Sequence, residues 1–265
     1  CIGCGGGNGG ASGVGTTGGG VVNGIPGSGG GGGDGINASA NSRLISNFGT
    51  ITGGAGGAGG ASVVPGVANG LAGAGGVGVR ITGSGNTLVN GGSIVGGLSG
   101  DGAVRANAVS ITGNNNILQL NAGYSFTGNV VSSGTGNGLR LGGTANASFD
   151  VAGIGSLYQG FAGYSKTDTS TWTLTGTTAA VTPWSVNGGT LAIANDASLG
   201  ASTAALTLDG GTLQVTGTTA GSRNVALGAA GGTVSPNAGS TLTWNGVVSG
   251  TGNLSQAGAG TTVLS

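Results

Sequence analysis

Twelve side chains carry all the charge in this sequence of 265 residues. Six are carboxylates, Asp34, Asp101, Asp150, Asp168, Asp196 and Asp209; the cations are Arg43, Arg80, Arg105, Arg140, Arg223 and Lys166. Two aspartates brought onto one face, with an arginine beside them, could cleave a polysaccharide by acid and base catalysis. The six are isolated along the chain, and most stand next to Gly, Asn, Thr or Ser. That setting suits turn residues whose carboxylates bond to their own backbone. Histidine is absent, which excludes a His-assisted nucleophile, an H-E-x-x-H zinc site and an imidazole switch. The sequence therefore assigns no catalytic, cofactor-binding or metal-ligating residue.

Other motifs fail on context. G-x-G-x-x-G occurs at 13–18 and 73–78, but neither copy joins a strand to a helix. Gly163-Tyr164-Ser165-Lys166-Thr167 resembles the end of a phosphate loop, with Ser165 where that loop needs glycine. Residues 29–37 match a calcium nonapeptide around Asp34, yet 20–28 and 38–46 do not continue it, and such sites draw ligands from successive coils. Cys1 and Cys4 form a C-x-x-C without a βαβ setting, and zinc would need two further ligands. A local disulfide or inert thiols are expected there. No cofactor is implied.

The scaffold must be built from little else than glycine, small residues and aliphatics. Glycine numbers 69, charged residues are 5% and the net charge is zero, so there is no electrostatic footprint for nucleic acid. Glu and Met are absent and Lys occurs once, which argues against helices. The first 80 residues hold 32 glycines and the remaining 185 hold 37; all aromatics but Phe48 follow this break. Collagen is excluded because no three-residue glycine period runs through the chain and proline numbers four. The long runs, such as 29–33 and 53–60, are expected to be loops or poorly ordered, since glycine loses most backbone entropy on ordering.

Beyond residue 80 a repeat emerges. Gly-Gly-Thr plus an aliphatic residue recurs at 188–191, 210–213 and 231–234. A second phrase recurs as Trp172-Thr173-Leu174-Thr175-Gly176, Leu206-Thr207-Leu208-Asp209-Gly210 and Leu242-Thr243-Trp244-Asn245-Gly246. A third pairs Val79-Arg80-Ile81-Thr82-Gly83 with Val109-Ser110-Ile111-Thr112-Gly113, each followed by Asn and Leu at matching offsets. Strict apolar and polar alternation closed by Gly or Asn predicts short half-buried strands ended by turns. Recurrence every ~22 residues predicts an all-β solenoid whose coils stack at the ~4.8 Å strand spacing, with roughly eight coils over 80–265. Trp172 and Trp244 then face the core; Trp184, following Pro183, is the one candidate for an exposed ring, with packing favoured. Thr-x-Thr rows are too irregular in sequence for a flat ice- or water-binding array.

Several phrases together resemble the passenger region of autotransporters, the type V secreted proteins of Gram-negative bacteria. They are Ser46-Asn47-Phe48-Gly49-Thr50-Ile51-Thr52-Gly53-Gly54, the stretch 96–108, and Phe149-Asp150-Val151 with the residues up to Phe161. Two diverged copies of the autotransporter-associated β-strand repeat, roughly L-x-K-x-G-x-G-T-L-x-L-x-G, lie at 166–176 and 254–264. Asp168 and Ser170 replace both glycines of the first copy; Gln256 replaces the lysine of the second and Thr262 its first core aliphatic. The resemblance implies a right-handed parallel β-helix (β-solenoid) with Gly-rich loops. It divides the chain into a Gly-rich low-complexity segment, 1–43, and passenger repeats, 44–265, Gly-interrupted over 44–80 and regular over 81–265. It also implies a non-enzymatic passenger stalk, surface-exposed or secreted, with an adhesive role towards a host or cell-surface ligand. Its partner is a C-terminal outer-membrane β-barrel of the same precursor. The alternatives are a β-helical polysaccharide-acting enzyme using Asp residues, and a glycine-rich structural protein without a fold.

Overall fold

The computed structural model describes residues 14–17, 20–23 and 26–265. Cys1 and Cys4 lie outside these residues, as does part of the first G-x-G-x-x-G stretch. The strands Val14–Thr17 and Gly20–Asn23 pair antiparallel. All other strand pairs among the described residues are parallel, and they build a three-faced β-helix. Face 1 is a single sheet of nine strands from Leu44–Asn47 to Val248–Gly250. Face 2 is a three-stranded sheet ending at Ser125–Thr127, followed by a six-stranded one from Ala147–Asp150 to Leu254–Gln256. Face 3 is a five-stranded sheet from Ile36–Ala38 to Tyr158–Gln159, followed by three strands from Thr219–Gly221 to Thr261–Leu264.

The Gly-Gly-Thr copies stack as the repeat predicts: Thr190 lies opposite Thr212 and Thr212 opposite Thr233, with Leu191, Leu213 and Val234 in register beside them. The Val-x-Ile-Thr-Gly pair also stacks, Val79 against Val109. The second phrase does not. Trp172 lies on face 2, Leu206 on face 1 and Leu242 on face 3. Every face imposes the same in-out alternation, so that phrase marks a strand and a corner without saying which.

The step between coils is less regular than the sequence repeat suggests. On face 1, Leu44 pairs with Thr87 and Thr87 with Ile117, steps of 43 and 30 residues. Later steps shrink to between 19, from Leu206 to Val225, and 25, from Gly138 to Gly163. Each still advances one rung, so the eight steps of face 1 rise about 38 Å. Aliphatic side chains from all three faces fill the axis, and Trp172, Trp184 and Trp244 are all buried. Trp184 packs on Tyr164, their rings 5.4 Å apart, so the candidate exposed ring lies inside. Its strand, Trp184–Val186, begins one residue after Pro183, and the parallel register with Tyr164 turns the indole inward.

The glycine tracts correct the expectation of loose loops. Residues 27–35, 53–60, 70–78 and 96–100 lie side by side at the corner between faces 2 and 3, cross-linked through their backbones. Gly54, Gly57 and Gly60 donate to the carbonyls of Gly33, Gly30 and Gly27; Gly70, Gly73 and Gly76 donate to those of Gly60, Gly57 and Gly54. Gly97 and Gly100 bond in turn to Gly76 and Gly73. Bonding at every third residue is the period of a polyproline II-type helix. Close approach, not unusual dihedrals, demands glycine here: a methyl group on Gly73 would sit 2.0 Å from the Gly30 carbonyl oxygen. Segment 53–60 is bonded to the first, third and fourth segments, the last through Gly56 N to Leu98 O, and its Gly-Gly-Ala register leaves Ala55 and Ala58 on the outside. The three-residue period is local and split among separate segments, so a whole-chain period does not reveal it. Asp34 of the nonapeptide match caps this array, and the second G-x-G-x-x-G stretch forms part of its third segment.

Candidate functional site

The aspartates divide into two groups. Asp101 and Asp150 do what their turn setting predicts: Asp101 accepts from Ala103 N and the Ser99 hydroxyl, and Asp150 accepts from Ala152 N. The other four reach a neighbouring coil. Asp34 accepts from Val77 N and pairs with Arg80 at 2.5 Å, and Asp209 accepts from Ala230 N. Asp168 accepts from Gly143 N, and Asp196 pairs with Arg223 at 2.6 Å. The Arg80 guanidinium holds the Asp34 carboxyl below its ordinary range. With that carboxylate engaged by Arg80 and Val77, the residues at the nonapeptide match do not fit a calcium ion. Among the described residues no cluster of three metal-ligating side chains occurs.

Side chains close the two places where a ladder breaks. On face 2 the two sheets do not pair with each other, and the gap is lined by aromatic rings. Phe149 and Tyr158 lie 5.0 Å apart, Tyr124 and Trp172 lie 5.8 Å apart, and the Tyr124 hydroxyl donates to Ser148 O across the break. Burial raises the Tyr124 and Tyr158 hydroxyls above their ordinary values.

On face 3 no strand pairs between Tyr158–Gln159 and Thr219–Gly221; a short 3-10 turn, Asp196–Leu199, occupies part of that gap. Arg223, 1% exposed, closes it. Its guanidinium meets the Asp196 carboxylate and donates to the carbonyls of Asp196, Gly200 and Ala204 at 2.9 to 3.1 Å. Ser198 Oγ donates to Gly176 O and Thr182 Oγ1 to Leu199 O, so side chains supply bonds that a strand ladder would have made.

Lys166 is fully buried at a corner between faces 1 and 2, in register with Leu141 and Val186. Its ammonium donates to the carbonyls of Thr167, Asp168 and Gly188. Burial lowers its pKa to about 8, opposed by the nearby Asp168 charge. Gly189, at φ +60°, leaves room for it: a methyl group there would lie 2.6 Å from Nζ. Gln256, which stands where the second repeat copy would carry lysine, donates from Nε2 to Gly260 O and so closes its own corner. The two copies nevertheless turn different corners, 166–176 from face 1 to face 2 and 254–264 from face 2 to face 3.

The asparagines following the Val-x-Ile-Thr-Gly phrases prove to be structural as well. Asn86 and Asn116, and with them Asn137, which follows no such phrase, are buried and stack at one corner; Asn116 Oδ1 accepts from Asn86 N, and Asn137 Oδ1 from Asn116 N. The matched offset of Asn and Leu in the sequence was the signal for this ladder. Arg223 gave no comparable signal, because its partners lie 19 to 27 residues earlier in the chain.

Comparison with known proteins adds one relative. Over 112 residues, 41% of this chain, the sequence is 36% identical to the Adhesin BmaC autotransporter of Brucella suis biovar 1 (strain 1330). The chain spans about 3% of that protein's length. No protein-family model matches, and no solved structure matches. Part of this β-helix is thus similar to an autotransporter adhesin.

Proposed function

We propose that the chain is a stretch of a Gram-negative autotransporter passenger: a non-enzymatic β-helical stalk, surface-exposed or secreted, with an adhesive role. The observation that carries this reading is the similarity to a named autotransporter adhesin in a chain folded as a parallel β-helix. Two diverged β-strand repeats, each turning a corner, support it. Its partner is an outer-membrane β-barrel of the same precursor, and its ligand lies on a host or cell surface.

The architecture suits export through a narrow pore. Each rung needs only its predecessor as template, so coils can form one after another as the chain emerges. We expect this stepwise folding to help draw the chain outward. The test fuses the chain to an autotransporter barrel and follows protease accessibility on intact cells, then scrambles residues 206–234 at constant composition. The intact chain should reach the surface and bind cells, and the scrambled one should be exposed more slowly. Failure of the intact chain to be displayed would overturn the passenger assignment; unchanged export of the scrambled chain would overturn the folding-assisted route.

A further inference from the structure

We infer that the glycine array carries a binding groove for an extended glycine- and proline-rich segment of a partner protein. The array has a half-filled position beside its third segment. Residues 96–100 pack along that segment; the chain then turns at Gly102 and comes back. The returning stretch pairs back on residues 96–99, where Ala106 donates to Gly97 O and Leu98 bridges Arg105, and it is bonded to the third segment at its root, where Gly78 donates to Asn107 O. Towards the tip it bends away into a tight turn in which Ser99 donates to Val104 O. The wedge left open is an apolar groove of about 380 Å³. Leu71 and Ala74 form one wall and Val104 and Ala106 the other; Leu71 is 77% and Val104 66% exposed.

The backbone in this groove says what fits it. Along the third segment, Gly70, Gly73 and Gly76 use their N–H groups on one neighbour, and Leu71, Ala74 and Val77 offer their carbonyls to another. Ala72 and Gly75, the remaining positions of the three-residue turn, make no backbone hydrogen bond among the described residues. Both are half-buried and line the groove. A segment lying there would continue the bonding already established between the other segments, much as a peptide strand extends an open sheet edge. It must be narrow, advance three residues per turn, and retain N–H groups to donate to the free carbonyls. Glycine and small residues meet the first and last demands, and proline holds the polyproline II conformation at little entropic cost. The Asp101 carboxylate at the rim favours a basic residue at one end of the ligand.

This inference deepens the adhesive reading by naming a ligand class, and the two fail separately: display and cell binding test one, and peptide binding to the isolated protein tests the other. A repeating Gly-Pro-Ala peptide is titrated into the protein by calorimetry, beside a flexible Gly-Ser peptide and an all-proline peptide of equal length. The Gly-Pro-Ala peptide should bind, and the others at least about tenfold more weakly, a difference of about 1.4 kcal/mol. Leu71→Asp and Val104→Asp should each weaken binding by a similar factor, while hydrogen-exchange protection at Gly54, Gly57 and Gly60 persists. No binding of the Gly-Pro-Ala peptide, equal binding of the Gly-Ser peptide, or indifference to both substitutions would overturn the proposal. If a substitution abolishes that protection, Ala106→Asp on the other wall replaces it and is judged by the same outcomes.

Discussion

Arg223 and Asp196 are 27 residues apart in sequence and 2.6 Å apart in space, and their contact stands where face 3 has no strands to pair. The pair is sealed from solvent on the arginine side, with the guanidinium also bonded to carbonyls of the coil beneath. Arg223→Met should therefore cost about 3 kcal/mol, the range for removing one partner of a buried ion pair. Urea denaturation should show a smaller loss for Asp196→Asn, since the carbonyl contacts of Arg223 survive it. Equal stabilities for Arg223→Met and the parent would show that the gap needs no such bridge.

The glycine array should melt apart from the β-helix, because backbone bonds hold it together and few large side chains support it. Gly73→Ala places a methyl group against the Gly30 carbonyl and should open the array. Hydrogen exchange should accelerate at Gly57 and Gly76, whereas amides of the strands on face 1 keep their protection. Ala55→Ser, on the exposed side, should leave both patterns unchanged.

Stability should peak on the alkaline side. Lys166 titrates near 8 when folded and near 10.5 otherwise, so between these values the unfolded chain holds more protons and stability rises with pH. The tyrosines act in the opposite sense. Burial pushes Tyr164 up to about 12, and Tyr124 and Tyr158 are raised too, so above about pH 10 the unfolded chain loses tyrosyl protons first and stability falls. Urea midpoints measured across this range should rise and then fall. Lys166→Met should flatten the rising limb and leave the falling one.

Two indoles separate packing from hydrogen bonding. Trp172 Nε1 donates to Gly142 O at 2.9 Å, whereas Trp184 Nε1 is buried with no hydrogen-bond partner among the described residues. Phenylalanine at position 172 should cost about 1 kcal/mol more than at position 184, after allowance for similar cavities. Thermal denaturation of the two variants provides the comparison.

The parallel register can be locked chemically. Thr190 and Thr212 face outward on adjacent rungs, at a strand spacing within the Cα separation that a disulfide tolerates. Thr190→Cys with Thr212→Cys should oxidise to an intramolecular disulfide, seen by mass spectrometry after proteolysis. A hairpin arrangement of these segments would leave both thiols free.

What the sequence made legible follows from what each face constrains. Gly-Gly-Thr is tied to a corner and a strand together, so its three copies could be stacked from spacing alone. Trp172 and Trp244 were readable from phase, because alternation separates inside from outside even when the coil is unknown. The phrase led by Leu206 misled, since three faces with one alternation pattern are interchangeable to a local reading. Four aspartates reach across coils, beyond what a turn setting can show. The glycine array was hidden for a similar reason: its neighbours along the bundle, Gly30, Gly57 and Gly73, come from distant parts of the chain. Their shared period exists only once the segments lie together.

The 43-residue step from Leu44 to Thr87 and the 19-residue step from Leu206 to Val225 climb by the same single rung. Height in this rod is therefore independent of chain length, and surplus sequence projects sideways from one corner. Insertions at that corner can enlarge or remodel the lateral surface without shifting the register above or below. Such a rod keeps its reach fixed while the decoration along its flank is free to diversify.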